Sequence, residues 1–292
     1  MTADTHGFRW GVERRLEFIE FRLFWEGGVN RSDIVDEFGV SVPQASKDLS
    51  LYQEHAPGNV EYDRSQKRYF ASDRFEPEFI SLDADAYLER LCVTSSIAID
   101  SPCGPRTTGV AAERMPIPQR RIAPDVLRAM LTSVRDNRSI EILYQSMSAS
   151  RPNPVWRRIS PHAFSNDGLR WHTRAFCHID QKFKDFILSR CFDTRAPGDA
   201  GTPPAADTFW NRCFSIVICP NPRLSPSQQA VIAQDYAMDG GEKLVAVRHA
   251  LLYYFSKRLR LDVADRFDDP REAPVIVKNR KAFDIALAEA MQ

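Results

Sequence analysis

The chain has 292 residues, enough for two or three domains with separate cores. With 43% hydrophobic and 27% charged residues it has the make-up of a folded globular protein, which excludes a disordered one. Formal net charge is zero, so the bulk balance neither demands nor excludes a nucleic acid; only distribution informs, with Arg and Lys in excess over residues 120–195 and the first 75 residues mildly acidic.

The first expected helix runs from Gly11 to Glu26, because Val12, Leu16, Ile19, Leu23 and Phe24 recur at helical spacing and Gly27-Gly28 can end it. A shorter helix begins near Arg31-Ser32, turns Ile34, Val35 and Phe38 inward and stops at Gly39. Ser41 can cap a third, in which Pro43 suits the first turn and Val42, Ala45, Leu49 and Tyr52 form the buried stripe. The pattern is helix, turn, helix. On the outer side of the third helix lie Gln44 and Lys47, flanked by Pro43 and Ser46, the place where a recognition helix meets base edges; Gln suits adenine, and Lys suits guanine or phosphate. A helical hairpin that merely packs would expose the same polar residues. Asn59 to Asp63 and Lys67 to Ala71 are strand-like around Arg64-Ser65-Gln66, which predicts a β-wing with Arg64, Lys67 and Arg68 near its tip, available to phosphates. The expectation for residues 1–76 is a winged helix-turn-helix that binds double-stranded DNA through Ser41, Pro43, Gln44, Ser46, Lys47, Arg64, Lys67 and Arg68.

Residues 77–118 read as a connector, with a helix from Ala84 to Ile99 opened by Asp83 or Asp85 and a Pro/Gly-containing linker from Ser101 to Pro118. A helix from Pro124 to Arg135, with Val126, Leu127, Met130, Leu131 and Val134 inward, leads into a strand at Ile140 to Tyr144. The most informative stretch follows, Gly168 to His178, GLRWHTRAFCH. Read as a strand it places Arg170, His172, Arg174 and His178 on one face and Leu169, Trp171, Thr173, Ala175 and Cys177 on the other. Four such groups in a row repel one another and need an anionic partner or water. Segments ending at His162 and Arg190 are extended in pattern and bring two more candidates. Parity puts Arg190 beside Phe186 and Leu188, where its head requires either a ligand anion or a salt bridge, for example to Asp167 or Asp193. Trp171 reads as core rather than as a stacking platform.

An enzyme is disfavoured. Cys177 and His178 are adjacent, so on a strand they point apart and cannot pair as nucleophile and base. There is no phosphate loop, nucleophile elbow or H-E-x-x-H, and the six cysteines show no metal spacing, so neither cofactor nor metal is expected. With no secretory leader and no apolar run near the roughly 18 residues that span a bilayer, a cytoplasmic protein with no membrane partner is expected.

After a loop from Pro197 to Asp207, an αβ unit follows: a strand at Phe214 to Ile218, a helix capped by Ser225 running to Asp235, a strand at Leu244 to Val247 and a helix from Ala250 to Leu261. Leu251, Leu252, Tyr254, Phe255 and Leu259 load that last helix heavily, either as domain core or as an intersubunit surface.

The stretch from Ser139 to Thr194 resembles the WYL domain of bacterial transcription regulators, with Trp171-His172-Thr173 where the eponymous Trp-Tyr-Leu would stand. His172 and Thr173 depart from that pair. Trp-His followed by Arg-Ala-Phe-Cys-His and Phe-Lys-Asp-Phe-x-Leu-Ser-Arg is similar to the WYL branch that represses phage-defence operons, as are Ser-Val-Pro-Gln-Ala-Ser near the amino end and Asn-Pro-x-Leu-Ser-x-x-Gln and Arg-x-Ala-Leu-Leu-x-Tyr near the carboxy end. The resemblance implies an α+β protein: the winged helix, a small Sm/SH3-like β-barrel over 119–198, and an αβ dimerisation domain over 206–292. It further implies a dimeric repressor whose basic pocket senses a nucleotide or nucleic acid; joined with the cationic row, the expectation is a homodimer on a pseudo-palindromic operator, relieved by an anionic nucleotide or nucleic-acid effector held by His162, Arg170, His172, Arg174, His178 and Arg190. An activator of the same architecture, or a receptor for single-stranded nucleic acid, stays open at this point.

Overall fold

The computed structural model describes residues 8–100, 110, 112, 113, 115–149, 151–199 and 201–291, so the linker expected from Ser101 to Pro118 lies mostly outside the described residues. The chain divides into two units, Met1–Pro116 and Ile117–Gln292.

In the first unit, α1 (Trp10–Trp25), α2 (Arg31–Phe38) and α3 (Val42–His55) precede a hairpin of β1 (Val60–Asp63) and β2 (Arg68–Ala71), and α4 (Ala84–Asp100) follows. Each start has a local cause. Asn30 caps α2 in a reciprocal box with Asp33, and Ser41 caps α3 by accepting the Gln44 amide. Leu16, Ile19, Leu23, Ile34, Ala45, Leu49 and Tyr52 close the core. Phe24, expected in that stripe, is 41% exposed and packs at the margin against Trp25 and Phe75. Gly28 is required where the hairpin crosses the end of α1, since its φ is +111° and a Cβ would fall 2.4 Å from the Tyr69 carbonyl oxygen. A buried carboxylate that sequence reading did not anticipate ties the unit together. Glu20 accepts the backbone amides of Glu78, Phe79 and Ile80 at 2.9, 2.6 and 2.8 Å and the Tyr52 hydroxyl at 3.0 Å.

In the second unit, α5 (Pro124–Arg135) lies on a sheet of β3 (Ile140–Tyr144), β4 (Val155–Asn166), β5 (Trp171–Cys177), β6 (Lys182–Ile187) and β7 (Cys191–Arg195), in the order β6-β5-β4-β3-β7. This corrects the expected closed Sm/SH3-like barrel: the sheet is open. The chain leaves β6 through a 3-10 turn, Leu188–Arg190, and the hydrogen bonds of β7 go to β3, so the outer strands β6 and β7 do not pair. That turn also breaks the parity that had placed Arg190 beside Phe186 and Leu188. Cys177 and Ala175 sit in the core as their face requires, while Trp171, expected with them, opens the strand and is 49% exposed.

The chain continues through α6 (Thr208–Asn211), β8 (Cys213–Pro220), α7 (Pro226–Asp235), β9 (Lys243–Arg248), α8 (Leu252–Arg258), β10 (Val275–Val277) and α9 (Arg280–Met291). A second sheet forms in the order β10-β8-β9. The helix expected from Ala250 to Leu261 is split into a 3-10 turn, His249–Leu251, and the short α8; Leu252, Phe255 and Leu259 pack in this core with Phe283 of α9. Neither β10 nor α9 was anticipated.

Candidate nucleic-acid interface and effector site

At the start of α3 the Ser41 hydroxyl accepts the Gln44 amide at 3.3 Å, and Pro43 stands exposed in the first turn. The Ser46 hydroxyl donates back to the Val42 carbonyl at 3.0 Å, a bond internal to the helix. Gln44 donates its amide to Asp48 at 3.0 Å, and Asp48 is itself held by Arg15 at 2.7 and 3.2 Å. Gln44 is therefore oriented by an ion pair whose carboxylate is buried, while Lys47 is exposed one turn on. In the wing, Asp63 accepts the amides of Ser65 and Gln66 and the Ser65 hydroxyl, which hold its carboxyl below the usual range and fix the turn. Arg64 and Lys67 are exposed there. Arg68 is not at the tip: it turns back to the Gly28 carbonyl at 3.1 Å and to Asp33 at 3.0 Å, so it braces the hairpin against α2.

The cationic row on β5 exists, and the protein's own carboxylates meet most of it. Arg174, 5% exposed, donates to both oxygens of Asp207 at 2.7 and 3.2 Å and to Asp185 at 3.3 Å. His162, at the bulge in β4, lies 3.0 Å from the same Asp207. His172 and Arg170 share Asp167 at 3.0 and 2.8 Å. Tyr254 of α8 donates its hydroxyl to Asp185 at 3.1 Å and packs on the His172 ring. His178 stands apart at the far end of β5, 2.9 Å from the Ser160 hydroxyl, and burial with the nearby Arg158 lowers its pKa. Arg190 lies elsewhere, against the Tyr144 hydroxyl.

Two aspartates share Arg174 unequally. Burial alone would raise Asp207, but hydrogen bonds from His162 and Arg174 outweigh it and hold the carboxyl at about 2. Asp185 receives one guanidinium hydrogen and the Tyr254 hydroxyl, and burial prevails, so its carboxyl is pushed up. Sequence reading missed Asp207, Asp185 and Tyr254 as partners; the one local signal was Asp207 as the cap of α6, where it accepts the Trp210 amide at 3.1 Å. It also missed Arg157, 3% exposed in the sheet core beside Tyr144 and Phe186, whose Nε and Nη2 find no hydrogen-bond partner among the described residues.

The comparisons fit this geometry. Residues 11–92 match the model of the BrxR transcriptional regulator winged helix-turn-helix domain, 125–195 the WYL domain, and 213–283 the BrxR transcriptional regulator C-terminal dimerization domain. Curated proteins described as DNA-binding transcriptional repressor CapW, from Escherichia coli (strain KTE188) and Pseudomonas aeruginosa, are each 38% identical over 277 residues, covering 94% of this chain and 91% of theirs. The chain belongs to the BrxR/CapW family of WYL-domain transcriptional regulators. A further member from Stenotrophomonas maltophilia is also 38% identical, covering 93% of this chain and 90% of its own. The solved Proteasome accessory factor B/C (PafBC) of Arthrobacter aurescens aligns with 96% of this chain and 48% of its own at 15% identity, with a TM-score of 0.25. Two of the three matched models are described as domains of a transcriptional regulator, in line with the non-enzymatic expectation. Among the described residues no group of His, Cys, Asp and Glu is placed to hold a metal, and no helix is long and apolar enough to cross a membrane.

Proposed function

We propose that this BrxR/CapW family member is a homodimeric repressor of a phage-defence operon that binds a pseudo-palindromic double-stranded operator and releases it when an anionic effector binds the second unit. The observation that carries the reading is the 38% identity, across 94% of the chain, to proteins described as DNA-binding transcriptional repressors. The first unit supports it: α3 offers Pro43, Gln44 and Lys47 at its amino end, and the wing offers Arg64 and Lys67 for phosphates. Dimerisation through the region that contains 213–283 is supported by the family model matched there. The effector acts only through differential affinity, and shifting the protein from mostly bound to mostly free takes about 5.5 kcal/mol of preference for the DNA-free form.

Fluorescence anisotropy with duplex DNA from upstream of the gene tests the reading. Binding should fall in the range of about 10⁻⁸ to 10⁻¹¹ M at physiological salt and weaken at least about a thousandfold on a scrambled duplex. Equal affinity for both duplexes would overturn it, and a reporter whose output falls on deletion of the gene would reverse the sign of control.

A further inference from the structure

Beside the buried network lies an open cleft of about 530 Å³, between the turn at residues 167–170 and the α8 side chains Tyr253, Tyr254, Lys257 and Arg258. That volume falls within the roughly 300–1,000 Å³ of small-molecule sites. Gly168 makes the arrangement possible. Its φ is +91°, and a Cβ would fall 1.9 Å from Nη1 of Arg258, so the guanidinium packs directly against bare backbone.

Among the described residues Arg258 makes no ion pair, whereas Lys257 is engaged by Asp262 and Arg170 by Asp167. Asp167 is the one carboxylate in a lining that carries Arg170, Lys257 and Arg258, so the cleft is electropositive. It also presents an aromatic surface: Tyr253 is 39% exposed and stands edge-on to Tyr254, with ring centroids 5.5 Å apart. A free guanidinium suits a phosphate in bidentate geometry, and an exposed phenol ring suits a planar base.

We propose that this cleft binds a nucleoside phosphate, with the phosphate on Arg258 and Arg170 and the base on Tyr253. The site deepens the effector reading above and rests on it for the consequence on DNA release, though not for binding itself. The cleft meets the buried network at two residues. Asp167 lines it and holds His172; Tyr254 lines it and donates to Asp185, the partner of Arg174. A phosphate that draws Arg170 from Asp167 alters the pairing of His172, so occupancy of the cleft is felt in the row that the sequence singled out.

Isothermal titration of the full chain with adenosine monophosphate, a 5′-phosphorylated dinucleotide, adenosine and inorganic phosphate tests the proposal. The mononucleotide or the dinucleotide should bind at least about tenfold more tightly than adenosine or phosphate alone, the tighter of the two naming the source as free nucleotide or strand end. Arg258→Ala and Tyr253→Ala should each weaken that binding by about tenfold or more, Arg258→Lys should do so less, and Lys281→Ala, the same charge removed outside the cleft, should leave it intact. Thermal melting confirms that each variant is folded. No heat from any of the four compounds, or unchanged affinity in Arg258→Ala and Tyr253→Ala, overturns the cleft. Operator titration is read separately: a chain that binds its operator but no nucleotide sinks the cleft alone, and one that binds nucleotide but no operator sinks the repressor reading alone.

Discussion

Arg174 and Asp207 form a two-point ion pair, Nε to Oδ2 at 2.7 Å and Nη2 to Oδ1 at 3.2 Å, that joins β5 to the cap of α6 with both side chains buried. A strand face that looks like a receptor for outside anions is therefore first of all a fastening between the WYL sheet and the segment that follows it. An anion reaching Arg174 has to compete with two carboxylates already in place, which is why the more open cleft beside it is the better receptor.

Removing Asp207 takes the two-point partner from a buried guanidinium and leaves it the longer contact to Asp185. Asp207→Ala should cost about 3 kcal/mol in urea unfolding of the second unit, the low end for a broken buried pair, because His162 loses this acceptor while Arg174 keeps Asp185 at 3.3 Å. A loss below about 1 kcal/mol would mean that the pair is solvated or dispensable.

The same aspartate gives the unit an acid limit. Its carboxyl lies at about 2 when folded, against the ordinary 3.8. Between those values the unfolded chain binds the proton and the folded one does not, so its stabilisation is complete above about pH 4 and fades as pH falls towards 2. The difference amounts to about 2 kcal/mol. Asp185, pushed up by burial, works in the opposite sense, so the measured slope should steepen when Asp185 is replaced by Asn and flatten when Asp207 is. Urea unfolding of the wild type and both variants from pH 5 down to pH 2.5 reads this directly.

Glu20 is the corresponding joint of the first unit. Glu20→Ala strips acceptors from three backbone amides and the Tyr52 hydroxyl and should cost at least about 3 kcal/mol. Glu20→Gln should also destabilise, since its amide group cannot accept on both sides. A melting temperature unchanged by either substitution would show that these bonds are not made in solution.

On the DNA side, Lys47→Ala and Arg64→Ala should each weaken operator binding and, where the contact is to phosphate, lower the slope of log affinity against log salt by about 1. Arg68→Ala should act differently: because Arg68 braces the hairpin against Asp33 and Gly28, the loss should appear in thermal stability with little change in salt slope. A salt-slope change for Arg68 equal to that for Arg64 would restore Arg68 to the phosphate-contacting wing.

Arg157 offers an inverse test. Two of its nitrogens are buried without partners, and Asp180, the carboxylate it approaches at 3.6 Å, is already held by Arg151 and Lys184. Arg157→Met should leave stability within about 1 kcal/mol of the wild type or raise it, since an apolar chain removes an unsatisfied cation from the core. A large loss on urea unfolding would point to an interaction of Arg157 beyond those seen.

Local rules made much of this protein legible from its sequence. The 3.6-residue stripes of α1 and α3, the Ser41 and Ser225 caps, the hairpin between Asp63 and Arg68 and the two-residue alternation on β5 depend on neighbours a few positions away, and they place the winged helix and the cationic row without reference to the rest of the chain. What answers that row could not be read in this way. Asp207 lies 33 positions beyond Arg174, and Tyr254 lies 69 beyond Asp185, distances over which sequence carries no period. The open sheet, the displacement of Arg190 by a 3-10 turn, and the packing of the Arg258 guanidinium against Gly168 were likewise decided by how strands and helices pack. Side-chain parity fixes the face on which a charge stands; only the packed chain fixes whether that face meets water, a ligand or its own carboxylates.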